Sequence, residues 1–285
     1  MRIGRGRTWL AGLLLLLLGT GIWSVVIEPG LLITRTVQFP TGKWPVGYPA
    51  LRIAFVADTH TGSFRNGLKN LRRVVDRVNA LKPDLILLGG DYVVQGVVLG
   101  TPVHASKVAA ELQRLKAPAG VLGVLGNHDW WEGGEEIKRI FARAGLRLLE
   151  NQAYPIRFKG KRFWIVGLAD DTTRRPDVLG SFARVPDGEP AIALMHDPAT
   201  FAELSTRPVI ALAGHTHGGQ VYVPWIGALV NASRAPLRHS YGLIREQGKA
   251  MYVTSGIGTS ILPIRLNIPP EIVLITIRSA AKNMR

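Results

Sequence analysis

Cysteine is missing from the whole 285-residue sequence. Its absence excludes disulfide bonds, thiolate metal ligands and a cysteine nucleophile, and it is compatible with either side of a membrane. Any metal ion must therefore be held by imidazole, carboxylate, amide or water ligands. Such ligands favour Mn, Fe, Zn, Co or Ni over the soft metals.

Acidic residues are scarce. The chain has 20 Asp and Glu against 35 Lys and Arg, a formal net charge of +15. This excess attracts anionic partners such as a membrane surface or phosphorylated substrates, although a basic surface that serves only solubility explains it equally well. The sequence also lacks the aromatic–basic ribonucleoprotein motif and zinc-finger spacing. No nucleic-acid partner is therefore expected.

Charge is absent from residues 8–27, which include an uninterrupted leucine run at 13–18. A helix of about 20 apolar residues crosses a hydrocarbon core of about 30 Å, and Trp9 and Trp23 lie near its ends, where interfacial aromatic residues are typical. Residues 1–27 are therefore predicted to be an uncleaved, single-pass membrane anchor. A cleaved signal peptide, for which no convincing small-x-small site is found, and a soluble helix are the alternatives.

The orientation of this anchor follows from the basic residues beside it. Arg2, Arg5 and Arg7 precede the apolar segment, which favours a cytoplasmic N-terminus and a catalytic domain outside the cytoplasm. Basic residues soon after the segment, such as Arg35, weaken the asymmetry. The cytoplasmic face therefore remains the alternative.

The rest of the chain divides into a Pro- and Gly-rich stretch at 28–50, predicted to be a linker with one strand at 34–39, and a domain at 51–285. Nine apolar runs lack alternation, which is typical of strands covered on both faces; they are 52–57, 85–88, 121–125, 163–168, 191–195, 209–213, 220–223, 250–254 and 271–277. Helical spacing predicts helices at 68–81, 103–115 and 135–144. The order of these elements predicts an α/β sandwich of mixed sheets covered by helices.

Five of these runs end in residues that can bind metals. The endings contain Asp58 and His60, Gly90 and Asp91, Asn127 with His128 and Asp129, His196, and finally His215 and His217. The carboxyl ends of strands in open α/β sheets form one ligand-binding edge. Residues two apart on an extended segment also point to the same side. The endings are therefore expected to converge on one crevice.

The alternative is that each histidine is an ordinary core or surface residue. Five of the seven histidines lie at strand ends beside Asp, Asn or Gly, and only His104 and His239 do not. Coincidence at five separate strand ends is a poor explanation, so a shared site is favoured.

The ordered blocks Asp-x-His, Gly-Asp, Gly-Asn-His-Asp, His and Gly-His-x-His resemble those of the calcineurin-like metallophosphoesterase superfamily. The resemblance covers residues 51–277. Segments 214–220, 255–258 and 263–271 resemble a bacterial membrane-associated branch of that superfamily. The resemblance implies a four-layer αββα sandwich with two mixed β-sheets flanked by helices, two divalent metal cofactors (Mn, Fe or Zn) and a phosphorylated substrate.

The resemblance also implies roles for individual residues. Asp58, His60 and His217 would hold the first metal, Asn127, His196 and His215 the second, and Asp91 would bridge them. His128 would stabilise the phosphoryl oxygens or protonate the leaving oxygen, with Asp129 fixing the tautomer and orientation of its ring. A bridging carboxylate offsets the repulsion between two dications roughly 3.5–4 Å apart.

These observations predict a metal-dependent phosphoric ester hydrolase of the phosphodiesterase or pyrophosphatase type, acting on a lipid-linked or headgroup phosphate at a membrane surface. The alternatives are a phosphodiesterase or phosphomonoesterase without lipid preference and a non-catalytic, metal-stabilised binding module. Among less specific residues, Asp197 is predicted to cap a helix at 198–204 rather than orient His196, and Arg265 is predicted to lie on the surface.

Overall fold

Apolar strands build two six-stranded mixed sheets in the computed structural model, which describes residues 5–280. The first sheet has the order β1-β14-β2-β3-β4-β5. Its strands are β1 (Ile33–Thr41), β2 (Leu51–Val56), β3 (Leu85–Leu88), β4 (Val121–Gly123), β5 (Arg147–Leu148) and β14 (Glu271–Ser279). Strands β2 to β5 run parallel, whereas β14 is antiparallel to β2 and parallel to β1.

The second sheet has the order β12-β13-β9-β8-β7-β6. Its strands are β6 (Gln152–Phe158), β7 (Lys161–Gly167), β8 (Ala191–Leu194), β9 (Ala211–Ala213), β12 (Gly242–Glu246) and β13 (Lys249–Val253). The four inner strands are parallel, and both edge strands are antiparallel to their neighbours. A short hairpin of β10 (Tyr222–Val223) and β11 (Gly227–Ala228) is separate from both sheets.

Helices cover the outer face of each sheet. One buried apolar cluster lies between the two sheets, and one more lies between each sheet and its helices. Phe55 and Leu87 of the first sheet pack with Ile192 of the second. The outer face of the first sheet is covered by α2 (Leu68–Ala80), α3 (Ala105–Leu112) and α5 (Gly134–Arg143), and that of the second by α6 (Val178–Ala183). Each fully buried large apolar side chain contributes about 1.5–3 kcal/mol. The predicted four-layer αββα sandwich is confirmed.

The predicted helices and strands closely match the observed ones, and most of the strands that the sequence pattern missed lie at sheet edges. Strands β5, β6 and β12 are edge strands. An edge strand is partly solvated and carries polar residues, such as Arg245 and Glu246 in β12, so it lacks a continuous apolar run.

The N-terminal helix α1 (Arg5–Ile22) continues through a π-helical turn (Trp23–Ile27) and a 3-10 turn (Glu28–Gly30). Its segment Trp9–Gly30 has a mean hydropathy of 2.3 and is almost entirely unburied, so it is long and apolar enough to cross a membrane. Residues 1–4 of the predicted anchor, including Arg2, and residues 281–285 of the predicted domain lie outside the described residues.

Residues 28–50 differ from a free linker. The predicted strand at 34–39 extends over Ile33–Thr41 and pairs along its whole length with β14. Phe39 and Trp44 are buried in the core between the sheets. The segment is therefore part of the sandwich, because its apolar side chains complete one end of that core.

Candidate metal centre

The seven predicted metal ligands lie together at the carboxyl ends of β2, β3, β4, β8 and β9. All of them are at least 95% buried; they are Asp58, His60, Asp91, Asn127, His196, His215 and His217. Parallel strands end at the same edge of each sheet, and the two sheets pack face to face. The architecture therefore brings five distant chain segments to one place.

The backbone at these strand ends is unusual. Positive φ angles of 36° to 70° occur at Asp58, His60, Asp91, His215 and His217. A non-glycine residue in this region costs about 1–3 kcal/mol and is concentrated at functional sites. Pairs such as Asp58 and His60 therefore converge through a tight turn, rather than through the extended alternation that the sequence suggested.

The first cluster contains Asp58, His60 and His217, whose ligand atoms all lie within 4.8 Å of one another. The Nε2 atoms of His60 and His217 are 3.1 Å apart, and Oδ1 of Asp58 is 4.0 Å from the Nε2 atom of His217. Burial, together with the neighbouring His60, holds the pKa of His217 well below its ordinary value. Its imidazole is therefore neutral and has a lone pair to offer.

The second cluster contains Asp91, His196 and His215, again within 4.8 Å of one another. The Nε2 atom of His196 is 3.2 Å from Nδ1 of His215 and 3.2 Å from the amide oxygen of Asn127. Asn127 begins the short helix α4 (Asn127–Trp131), so its side chain enters the cluster from the helix terminus.

Asp91 joins the two clusters. Its Oδ2 atom is 3.3 Å from Nε2 of His60 and 3.3 Å from Nε2 of His196. Burial opposes ionisation of Asp91, but the neighbouring His196 and His60 outweigh it and hold its pKa well below the ordinary value. One ionised oxygen is therefore shared between the clusters, as a carboxylate that bridges two cations requires.

Backbone carbonyls fix the histidine rings from outside. His196 Nδ1 is 2.7 Å from the carbonyl oxygen of Gly89, His217 Nδ1 is 3.2 Å from that of Gly258, and His215 Nε2 is 3.2 Å from that of Ala232. Each of these ring nitrogens donates its proton to a carbonyl, which turns the other nitrogen of the ring towards the clusters. This arrangement is typical of metal-binding histidines.

The residues present fit two divalent cations. Within the part of the chain that the structure describes, Oδ2 of Asp58 and Nδ1 of His60 are buried without a hydrogen-bond partner. Ring nitrogens of two histidines also lie 3.2 Å apart in one cluster and 3.1 Å apart in the other. Two ring nitrogens this close can bind one cation together, and imidazole with carboxylate is a donor set suited to Mn, Fe or Zn.

His128 lies at the rim of this centre. Its backbone N–H donates to Oδ1 of Asp91 at 2.9 Å, and its ring centroid is 4.7 Å from that of His60. Its Nδ1 atom is 3.1 Å from Oε1 of Gln95, and its Nε2 atom is 3.4 Å from Oγ of Ser260. Burial lowers the pKa of the His128 imidazolium to about 4. The ring is thus neutral at pH 7, and its Nδ1–H donates a hydrogen bond to Oε1 of Gln95.

Asp129 differs from its predicted role. Its carboxylate accepts backbone N–H groups from Asp91, Tyr92 and Gly126 at 2.8 to 3.0 Å, and it is Gln95 that orients the His128 ring. Adjacent residues on a helix project about 100° apart, so Asp129 turns into the protein and ties together the loops that carry Asp91 and Asn127.

Neither Gln95 nor Ser260 was found from the sequence. Both lie in loops without an apolar run or a motif, and Ser260 is 132 residues from His128 in the chain. Position 95 follows the Asp91 block closely, which is the only signal that the sequence offered for it.

Gln95 gives a testable expectation. A Gln95→Glu substitution places a carboxylate beside Nδ1 of His128, and an opposite charge at this distance raises an imidazole pKa by about one unit or more. Turnover that depends on protonated His128 should therefore persist to higher pH. The pH profile of kcat measures this shift, and the exposed Gln113 provides Gln113→Glu as a matched control. An unchanged profile in Gln95→Glu would contradict the contact.

Asp197 and Arg265 also have defined positions. Oδ1 of Asp197 accepts the Ala199 N–H at the start of the 3-10 turn Pro198–Ala202, which confirms the predicted cap. The prediction of a surface Arg265 is wrong, because this residue is fully buried. Its guanidinium donates to the carbonyl oxygens of Ser255, Gly258 and Ile268. Arg265 is buried because its guanidinium supplies hydrogen-bond donors to these buried carbonyl oxygens.

Arg265 gives a second expectation, concerning stability. Replacement by leucine leaves the buried carbonyls of Ser255 and Ile268 without donors and takes one of two partners from that of Gly258, which should cost about 3–5 kcal/mol of unfolding free energy. Denaturant unfolding of the detergent-solubilised chain measures the loss. Arg72→Leu is the control, because the Arg72 side chain is 58% exposed and surface ion pairs contribute about 0–1 kcal/mol. Equal stabilities of the two variants would exclude a structural role for Arg265.

Comparison with known proteins finds similarity over the segments that carry the seven predicted metal ligands. Residues 51–219 match the family model described as calcineurin-like phosphoesterase. The metallophosphoesterase YkuE of Bacillus subtilis (strain 168) is 29% identical over 256 residues, which cover 89% of this chain and 88% of YkuE. A metallophosphoesterase of Aquifex aeolicus is 29% identical, with coverages of 84% and 88%. Phosphodiesterase YaeI of Escherichia coli (strain K12) is 33% identical, with coverages of 79% and 81%.

Proposed function

Because the chain belongs to the calcineurin-like phosphoesterase family, we propose that it hydrolyses a phosphodiester or pyrophosphate of a lipid-linked substrate at a membrane surface. The observation that carries the proposal is the shared Oδ2 atom of Asp91, which lies 3.3 Å from a histidine of each cluster. The name of the relative YaeI supports phosphodiester chemistry. The apolar N-terminal helix and the net charge of +15 support a membrane surface.

In this proposal the ligands divide as the two clusters do. Asp58, His60 and His217 would hold the first ion, Asn127, His196 and His215 would hold the second, and Asp91 would contribute to both. When bound, the ions lower the pKa of a water molecule and neutralise charge that develops on the phosphoryl oxygens.

His128 supplies what the ions do not. Its Nδ1 proton is held by Gln95, so Nε2 faces the crevice beside Ser260. An anionic phosphoryl group bound next to the ring raises its pKa. His128 then carries a proton on Nε2 at the position from which it can be passed to the leaving oxygen. Trp131, whose ring centroid is 4.9 Å from that of His128, flanks this side of the crevice.

The test is one set of assays on the full chain in detergent and in liposomes. Bound metal is measured, and chromogenic monoesters, chromogenic diesters and nucleotide-diphosphate lipids are compared as substrates. We expect divalent metal and a preference for the lipid substrate in liposomes. Equal turnover of soluble diesters would instead favour a general phosphodiesterase, and bound metal without any turnover a binding module.

The membrane side needs a separate measurement. The basic residues before the apolar segment favour an extracytoplasmic catalytic domain. A reporter enzyme fused to the C-terminus, active only outside the cytoplasm, should therefore be active. An inactive fusion would place the domain on the cytoplasmic face.

A further inference from the structure

Three loops beside the crevice expose large apolar side chains. Trp225 is fully exposed, and Ile226, Ile261 and Leu99 are 73%, 68% and 66% exposed. We call these residues, together with Val98 and Leu262, the apolar rim. Exposed apolar residues that cluster on a protein surface mark a site of interaction, because contact between apolar side chains and water is unfavourable.

The backbone of the rim supports a role other than folding. Leu99, Trp225 and Ile261 have φ angles of 61°, 66° and 61°. Bulky residues, and β-branched ones above all, are outliers in this region, where glycine would be free of strain. Large apolar side chains are thus kept at strained, solvent-facing loop positions, and folding does not explain them.

Hydrogen bonds join the three loops into one surface. The Val98 N–H donates to the carbonyl oxygen of Ile261 at 3.1 Å. The Gln220 side chain donates to the carbonyl oxygen of Leu262 at 3.2 Å and accepts the Ser260 N–H at 2.8 Å. Gln220 leads into β10 and so into the hairpin that carries Trp225 and Ile226.

The N-terminal helix is fixed to the same segment. The Arg265 N–H donates to the carbonyl oxygen of Ser24 at 2.9 Å, and the Ile268 N–H donates to Oε1 of Glu28 at 2.5 Å. Arg265 is four positions after Ile261 in the chain, so their Cα atoms are at most about 14 Å apart. If the helix spans a bilayer, its end lies in the headgroup layer, and the rim lies within reach of that layer.

Charge at this junction has the sign that a membrane surface attracts. Arg73 and Arg77 of α2 donate to the carbonyl oxygens of Gly30 and Leu32, at 3.1 and 2.6 Å. Arginines beside the exit of a helix from the bilayer favour anionic headgroups. Trp23, at the same end, is 44% exposed and suits the interfacial layer.

We propose that the apolar rim inserts into the interfacial layer of the leaflet next to the catalytic domain, as a second membrane contact besides the helix. This inference rests on the membrane role in the proposed function. Ser260, which precedes Ile261, lies 3.4 Å from Nε2 of His128. The rim therefore sets the crevice against the headgroup layer, where the phosphate of a lipid-linked substrate lies.

The absence of cysteine makes the test clean, because a single introduced cysteine carries the only label. Ile226→Cys and Ile261→Cys are labelled with the environment-sensitive dye nitrobenzoxadiazole in the full chain. Val46→Cys is the control, since Val46 is 80% exposed. It precedes the N-terminal end of β2, whereas the crevice lies at the C-terminal end of that strand. The variants are placed in nanodiscs of phosphatidylcholine and phosphatidylglycerol, with and without doxyl-labelled lipid.

We expect doxyl lipid to quench most of the fluorescence at positions 226 and 261 and little at position 46. Equal quenching at all three positions would overturn the proposal. This readout needs no turnover, so it decides the inference even when no hydrolysis is found. A chain that hydrolyses lipid substrates without quenching at 226 and 261 would lose the rim proposal alone.

A second measurement links the rim to turnover. Trp225→Asp should lower the hydrolysis of a vesicle-embedded lipid substrate roughly tenfold, because one large apolar contact with the membrane is lost. Hydrolysis of a soluble chromogenic diester should stay unchanged, and Val46→Asp should alter neither rate. Equal loss on both substrates in Trp225→Asp would contradict a membrane contact.

Discussion

Asp91→Asn is expected to remove metal from both clusters and to lower kcat by about 10³-fold or more, since a bridging charge is worth several kcal/mol and each 1.36 kcal/mol is tenfold in rate. The amide is nearly isosteric but neutral, so the repulsion between two dications is no longer offset. The shared Oδ2 atom lies 3.3 Å from both His60 and His196, so the loss should extend to both ions. Elemental analysis and turnover of a chromogenic diester measure the two effects.

Asp76→Asn is the matched control for this experiment. The Asp76 side chain is 61% exposed and pairs with Arg114 on the helical surface, so the same chemical change should leave both metal content and kcat unaltered. Two retained ions and nearly full activity in Asp91→Asn would refute the bridging role.

His128→Ala should separate metal binding from chemistry. Its ring nitrogens contact Gln95 and Ser260, so metal content should be nearly unchanged. Loss of the group that serves the leaving oxygen should lower kcat by about 10²–10⁴-fold. His104→Ala is the control, because His104 is exposed at the start of α3.

The choice of substrate sharpens this second test. A diester with a good leaving group needs little protonation, so the deficit of His128→Ala should shrink as the leaving group becomes more acidic. A deficit that is the same for all leaving groups would argue that His128 acts on the phosphoryl oxygens instead. Loss of metal from His128→Ala would show that the residue is a ligand, since it lies within 4.8 Å of His60 and Asp91.

The sandwich was predictable because its inner strands are continuous apolar runs. Runs such as 85–88 are covered on both faces, so burial alone marks them. The resemblance of the strand endings to a known family is confirmed by the match over residues 51–219. The assignment of individual ligands to the two ions stays a prediction, although the structure brings all seven together.

What the sequence could not supply are contacts made by the backbone and by distant loops. The carbonyls of Gly89, Gly258 and Ala232 that fix the histidine rings carry no side-chain signature. The family resemblance implied that Asp129 orients the His128 ring, but adjacent residues on a helix do not face each other. Arg265 was predicted to lie on the surface because it is charged. Its hydrogen-bond acceptors are carbonyls that come together only in the folded chain.

The short connection between helix and sandwich has one more consequence. Only Leu31 and Leu32 separate the 3-10 turn that ends at Gly30 from strand β1, a span of about 7 Å. A connection of two residues leaves the catalytic domain little freedom to rotate or to move away from the helix. In a bilayer it would meet its substrates by lateral diffusion within one plane, so its encounter rate would follow their surface density rather than their bulk concentration.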